Sequence, residues 1–365
     1  MKIKELTRHL EHIAPLAYQE SYDNCGLLVG CGDQEITQAL VTLDCTEAIV
    51  LEAIQLGCNL IIAHHPIIFA GLKKLNGNNY IERTVILAIQ NNIAIYAIHT
   101  NLDNVKAGVN NAIAKKLGLN QTQILAPKTG ALAKLVTFVP EAYAESVKEA
   151  LFAAGAGQIG NYSKCAFSSQ GEGSFEANSL AKPFVGELNQ LHTELETRVE
   201  VVFPQYIQAR LLAALNLAHP YEVVAYDIFP TLNQHQEVGS GLIGNLPESL
   251  SGHDFLAYLK EKMELKVIRH TNFTPGKISR VAVCGGAGSF LLKQAIACGA
   301  DAYVSADFKY HEFFDAENKT IIADIGHYES EKFTKSLICE LILEKFPTFA
   351  VLLSKINTNP INYYL

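Results

Sequence analysis

The segment Asn59-Leu60-Ile61-Ile62-Ala63-His64-His65-Pro66 sets the reading of this chain. Asn59 to Ala63 has the unbroken apolar character of a strand covered on both faces. It runs straight into two histidines and a proline. In open α/β sheets, ligands bind outside the carboxyl ends of the strands, where such polar residues would sit.

The surrounding sequence repeats the pattern. Ala39 to Leu43 reads as an earlier buried strand, and Glu47 to Leu56 as a helix closed by Gly57. Ile3 to Ile13 carries apolar residues at helical spacing. Tyr80 to Gln90 is helical, Ile93 to Ile98 is a strand ending at His99, and Gly108 to Leu117 is helical again. The C-terminal part returns to this style. Strands are expected at Arg280 to Val283, Ala302 to Ser305, Ile321 to Asp324 and Ala350 to Leu353. Helices are expected at Ser289 to Cys298 and Ser330 to Phe346. The fold class is therefore α/β, with mostly parallel sheets covered by helices. The two ends of the chain are expected to supply one continuous sheet.

The middle differs. Leu132 to Val139, Val199 to Phe203 and Val223 to Phe229 are rich in β-branched and aromatic residues, and helices at Ala142 to Ala154 and Tyr206 to Ala218 separate them. A strand–helix–strand module used twice predicts a small α+β domain inserted over residues 128–275. Residues 1–127 and 276–365 would then form the discontinuous outer domain.

Composition narrows the function. The chain has 365 residues, 49% hydrophobic and 18% charged, which suits two well-packed domains. The formal net charge is −8 and no basic block offsets it, so charge gives no indication of nucleic-acid binding. The eight cysteines form no C-x-x-C pair, which argues against a cysteine zinc site and for a reducing compartment. The start, Met1-Lys2-Ile3-Lys4-Glu5-Leu6, lacks the apolar stretch of a signal peptide, and no segment reaches the apolar length of a membrane span. A cytoplasmic location is expected.

Chemistry concentrates at strand ends. His64 and His65 follow one strand, Asp103 follows another, and His327 follows a third, with Glu331 four residues on. At that spacing His327 and Glu331 share a helix face. Adjacent His64 and His65 diverge in an extended chain, which suits two cations better than one. Imidazole nitrogen with carboxylate oxygen fits zinc, iron, manganese, cobalt or nickel. Each residue has an ordinary alternative: a histidine beside a strand commonly serves as a hydrogen-bonding residue, and Asp103 could cap the helix near Gly108. His99 and His311 are candidates for lining a substrate pocket. Asp307 and His311 lie four apart after another strand, either in the same pocket or as a surface pair. Gly285-Gly286-Ala287-Gly288 lacks the spacing of a phosphate-binding loop and reads as a tight strand–helix turn. His219-Pro220-Tyr221-Glu222 is sufficiently explained as a loop.

Four motifs together resemble the Nif-three-like family, whose bacterial members are labelled GTP cyclohydrolase I type 2 homologues. They are Ser21-Tyr22-Asp23-Asn24-Cys25-Gly26-Leu27-Leu28-Val29-Gly30, Ala63-His64-His65-Pro66, His99-Thr100-Asn101-Leu102-Asp103 and Gly326-His327-Tyr328-Glu329-Ser330-Glu331. They occur in the family's order across essentially the whole chain, with Tyr22 where tryptophan is expected. The resemblance implies a dinuclear centre of two divalent metal ions per chain on His64, His65, Asp103, His327 and Glu331. It also implies a ring-like homohexamer and a PII/CutA-like insert. Within that ligand set Glu331 is expected to bridge, because a carboxylate can hold two ions and an imidazole nitrogen only one. His65 and Asp103 would complete one ion, and His64 and His327 the other. Two ions roughly 3.5–4 Å apart can polarise a substrate oxygen and supply a hydroxide at neutral pH. A metal-dependent hydrolase of a nucleotide-like or phosphoester small molecule follows. The alternative is a non-catalytic metal-binding assembly that senses a ligand through the insert.

Overall fold

The structure is a computed structural model that describes residues 1–364. The described residues form strands numbered here in chain order. β1 is Gly26–Val29, β2 Ala39–Thr42, β3 Leu60–Ala63, β4 Ala94–Ala97 and β5 Asn120–Lys128. β6 is Leu132–Pro140, β7 Ala166–Glu176, β8 Leu191–Pro204, β9 Tyr226–Pro230 and β10 His235–Leu250. β11 is Arg269–His270, β12 Ile278–Ala287, β13 Ala302–Ala306, β14 Ile321–Asp324 and β15 Val351–Leu353. No helix among the described residues is long and apolar enough to cross a membrane.

The chain divides into two compact units. One comprises Met1–Ala126 and Glu237–Leu365, and the other Pro127–Gln236. The second boundary therefore lies at Gln236, not Pro275. The physical reason is β10, which pairs antiparallel with β12 from Leu242↔Val283 to Leu250↔Ile278. The helix Gly252–Lys262 follows it and buries Phe255 and Leu259 in the core of the outer unit.

The outer unit holds two sheets where one was expected. The first has the order β1-β4-β3-β2-β15, and the second β11-β14-β13-β12-β10-β5. Each has a parallel centre: β15, β2, β3 and β4 run parallel in the first, and β12, β13 and β14 in the second. The alternation of side chains across a strand explains why these short strands are apolar throughout. Leu60 and Ile62 of β3 face one core, while Ile61 and Ala63 face another. The first of these cores is shared by both sheets. Val41, Leu60, Ile62 and Tyr96 pack in it with Val281, Val283, Val304 and Ile321, together with Leu6, Leu10, Ile338 and Ile342 from two helices. One-sheet periodicity and two-sheet periodicity are the same along a strand, so the sequence pattern cannot separate them.

The inserted unit is a four-stranded antiparallel sheet of order β7-β8-β6-β9 with the helices Ala144–Ala153 and Gln208–Ala218. Its chain order is β-α-β-β-α-β. Val147, Leu151, Leu211 and Leu215 from the helices pack on Ala133, Leu135, Val199, Val201 and Phe203 of the sheet.

Candidate metal centre

The site is assembled in the outer unit from the ends of strands in both of its sheets. His64 and His65 continue the extended path of β3, since their N–H groups donate to the carbonyls of Thr42 and Leu43 at 3.2 and 2.9 Å. Asp103 ends the short helix Thr100–Asp103 that follows β4, so it does not cap the helix Val109–Lys116. His327 and Glu331 bound a separate helix, His327–Glu331, after β14. The long helix starts only at Thr334, later than the sequence reading placed it.

Each histidine is oriented through Nδ1. His64 Nδ1 donates to the Ile98 carbonyl at 2.8 Å. His65 Nδ1 donates to Asp44 at 2.8 Å, His327 Nδ1 to Asp307 at 2.7 Å, and His99 Nδ1 to Asp23 at 2.9 Å. Fixing Nδ1 turns Nε2 inward, which is how ligating histidines are normally supported. His65 Nε2 lies 2.9 Å, and His327 Nε2 3.2 Å, from Glu331 Oε2. These two ring nitrogens are 3.3 Å apart. His64 Nε2 lies 3.6 Å from Asp103 Oδ1 and 3.9 Å from Glu331 Oε1. One oxygen of Glu331 thus faces His65 and His327, while the other faces His64. The separations pair His64 with Asp103 and His65 with His327, which reverses the grouping expected from sequence. The reason is the chain path: His65 and His327 approach from two sheets and meet over one carboxylate oxygen.

The donor atoms fit a cation. His64 is fully buried, and its Nε2 has no hydrogen-bond partner; neither does the shielded Oδ1 of Asp103. Because Nδ1 of His64 is taken up by the Ile98 carbonyl, Nε2 is the nitrogen left to meet a cation. A buried polar atom without a partner costs about 1–3 kcal/mol, so two of them side by side point to a missing positive charge. Two sets of ligand atoms, His64 with His65 and His99, and His65 with His327 and Glu331, each lie within 4.8 Å of one another. These His/Glu groups could hold a metal ion.

The electrostatics agree. Burial alone would lower the pKa of His65, but its bonds to Asp44 and Glu331 raise it to about 9. For His327, burial is likewise outweighed by Asp307 and Glu331, and the pKa rises to about 11. Burial would raise the pKa of Glu331, yet the hydrogen bonds from His327 and His65 hold it well below the usual range. Asp103 is pushed up to about 7 by burial and by the charge of Glu331. In the absence of a cation, protons on His65 and His327 supply the charge that Glu331 demands.

Several contributing residues were weakly signalled or missed. Asp44 follows β2, so the strand-end rule that found the histidines could have found it. Asp307 holds a left-handed φ of 58°, which aspartate tolerates, and its carboxylate reaches His327. Only the last glycine of the run, Gly288, makes the turn from strand to helix; Gly285 and Gly286 lie within β12, which continues through Ala287. Gly286 has φ 63°, and a Cβ there would collide with Glu331 Oε1. Its N–H donates to Ser330 Oγ at 2.9 Å. The glycine is what lets the Glu331 carboxylate lie against β12. His99 joins the cluster, with its ring 5.3 and 5.2 Å from those of His64 and His65. His311 is exposed and its ring rests on Tyr310 and Phe314. Beside the centre is a cavity of about 360 Å³ whose lining includes His65, His99, His327, Phe69, Tyr328 and Ile361.

The chain matches the family Duf34/NIF3 (NGG1p interacting factor 3) over residues 1–360. It is 38% identical over 366 residues to the GTP cyclohydrolase 1 type 2 homolog of Bacillus subtilis (strain 168), which covers 99% of this chain and 98% of that protein. Among solved structures, a Bacillus cereus protein related to NIF3 matches with a TM-score of 0.85 and 37% identity, covering 100% of this chain and 99% of the other. A Staphylococcus aureus protein matches with a TM-score of 0.79 and 31% identity, at 100% and 99% coverage. A family match along nearly the whole chain, supported by relatives of the same extent, means that this protein belongs to the Duf34/NIF3 family.

Proposed function

We propose that the protein is a metal-dependent hydrolase that holds two divalent ions on His64, His65, Asp103, His327 and Glu331 and acts on a nucleotide-like or phosphoester small molecule. The observation that carries this reading is the convergence of three Nε2 atoms and two carboxylates, with His64 Nε2 and Asp103 Oδ1 buried and unpartnered. The two oxygens of Glu331 face different histidines, which supports a bridging role. Divalent ions bound there would supply Lewis acidity and lower the pKa of water to near neutrality.

The chain's own residues account for the remainder. His99 reaches the same cavity with Nδ1 fixed on Asp23, so its Nε2 can hold or pass a proton at the reacting atoms. Asp23 is well suited to that support. Burial would raise its pKa, but bonds from His99 and Thr100 lower it, so it stays a carboxylate. Phe69 and Tyr328 offer walls on which a flat ring could stack, and about 360 Å³ suits a small molecule. The name of the Bacillus subtilis relative makes a purine nucleotide the first substrate class to examine. The family likeness further supports a homohexameric ring in the cytoplasm with a PII/CutA-like insert.

The test is turnover on a panel of nucleotides, GTP first, and phosphoesters, comparing metal-stripped with metal-reconstituted protein. Metal-dependent turnover is expected, abolished by Glu331→Gln and reduced by His99→Gln at unchanged metal content. Fully loaded protein that turns over nothing on the panel would refute the hydrolase reading.

A further inference from the structure

The inserted unit has a cavity of its own, about 740 Å³, lined only by residues within that unit. One wall is aromatic. The ring of Tyr221 lies 6.2 Å from Phe175 at an inclination of 63°, and 6.3 Å from Phe184 at 48°. Neither pair stacks face to face, so ring faces remain for a guest.

The His219-Pro220-Tyr221-Glu222 segment fixes this wall. His219 Nε2 donates to the Phe138 carbonyl at 2.9 Å, and its Nδ1 accepts the Tyr221 N–H at 3.1 Å. Both ring nitrogens are therefore used, and the imidazole is neutral. Burial lowers its pKa further. Its ring packs edge-on against Tyr221 at 5.0 Å. The Tyr221 hydroxyl is shielded, and burial and the neighbouring Glu196 carboxylate push its pKa up.

The charge of the cavity is one-sided. Glu172, Glu176, Glu196 and Glu222 line it against a single base, Arg198. Arg198 is already paired with Glu200 at 2.9 Å. Glu196 pairs with Gly171 of β7, and its carboxylate reaches over Gly173, where a Cβ would collide with it. Uncompensated carboxylates repel an anion, and the aromatic wall gives a metal ion no oxygen cage. A cation with an apolar body satisfies both features, because ring faces attract positive charge.

We propose that the inserted unit binds a small organic cation, an ammonium on an apolar body, against Phe175, Phe184 and Tyr221 with Glu196 as its counter-charge. The site is independent of the metal centre.

Calorimetric titration of the full chain with choline, and with its neutral isostere 3,3-dimethyl-1-butanol, tests this. Saturable binding of choline is expected, with the isostere at least roughly fivefold weaker. Glu196→Gln and Tyr221→Leu should each weaken choline by roughly fivefold or more, while Tyr221→Phe, which keeps the ring, stays within about twofold. Glu331→Gln should leave choline binding unchanged. Circular dichroism checks folding; if Tyr221→Leu unfolds, Glu196→Gln decides alone. Equal binding of choline and the isostere, no saturable binding of choline, or choline affinity unmoved in folded Glu196→Gln would each overturn the proposal.

Discussion

His64 in the outer unit and His219 in the inserted unit are both buried histidines that bond a backbone carbonyl, yet they are chemically unlike. His64 spends Nδ1 on Ile98 and leaves Nε2 without a partner, beside Asp103. His219 spends Nε2 on Phe138 and Nδ1 on the Tyr221 N–H, and has nothing left to give. The first has a nitrogen free to ligate and the second is a structural post. A histidine's second nitrogen, more than its burial, separates a site from a scaffold.

The contrast can be broken most sharply at Glu331. On the proposed dinuclear reading, Glu331→Gln removes the charge that offsets repulsion between the two cations, and should lose at least one ion per chain, with affinity falling on the order of a hundredfold or more while the fold survives. His64→Ala should weaken mainly one ion. His219→Ala should leave the ion content unchanged and instead cost the inserted unit about 1–3 kcal/mol, because the Phe138 carbonyl and Tyr221 N–H lose their partner. Elemental analysis and thermal melting of the three variants check this; ion loss in His219→Ala would erase the distinction.

Next come the carboxylates that orient the rings. Asp44→Asn and Asp307→Asn keep every ligand but loosen His65 and His327, and should weaken metal binding by roughly tenfold to a hundredfold. Competition against a chelator measures the change. Affinity equal to that of the parent protein would mean that the rings are held by packing alone.

The effect of pH should be graded. His65 and His327, with pKa values raised to about 9 and about 11, carry protons in the metal-free protein at neutral pH. A cation must displace them, so apparent affinity rises with pH, by about tenfold per unit for each proton released, and the rise slackens once pH passes the His65 pKa. Chelator competition between about pH 6 and pH 9 reads the slope; a flat profile would show that neither proton is released.

The smallest effect is expected from removing the insert. Replacing residues 127–236 with a short flexible linker should leave metal affinity within about twofold and abolish choline binding, since all five proposed ligands lie in the outer unit. Removing 128–275 instead would delete all of β10 and the helix Gly252–Lys262, exposing β12 and emptying the space of Phe255 and Leu259. That variant should be insoluble.

This last pair of variants also marks the limit of what the sequence carried. The proposed ligands stood out because each follows a buried strand, but each also had an ordinary hydrogen-bonding or capping reading, and only the resemblance of four motifs to one family joined them into a set. The helices Ile3–Ile13, Glu47–Leu56 and Tyr80–Gln90 were legible to the residue, the first from its apolar spacing and the second from Gly57 at its C-terminus. The insert's far boundary was not legible, because β10 and the following helix have the same local character as the α+β elements before them. Only pairing with β12 assigns them to the outer unit. Nor was the grouping of His65 with His327, since it depends on how two sheets face each other. Gly286 was seen and misread, because its purpose, room for the Glu331 carboxylate, lies in a residue forty-five positions further along the chain.

Elemental analysis of metal-reconstituted protein, after loosely bound ions are removed, tests the proposed dinuclear centre most directly. The expected result is close to two divalent ions per chain, with Glu331→Gln falling to one or fewer. A stoichiometry that never exceeds one in the unaltered protein, whichever metal is supplied, would contradict it.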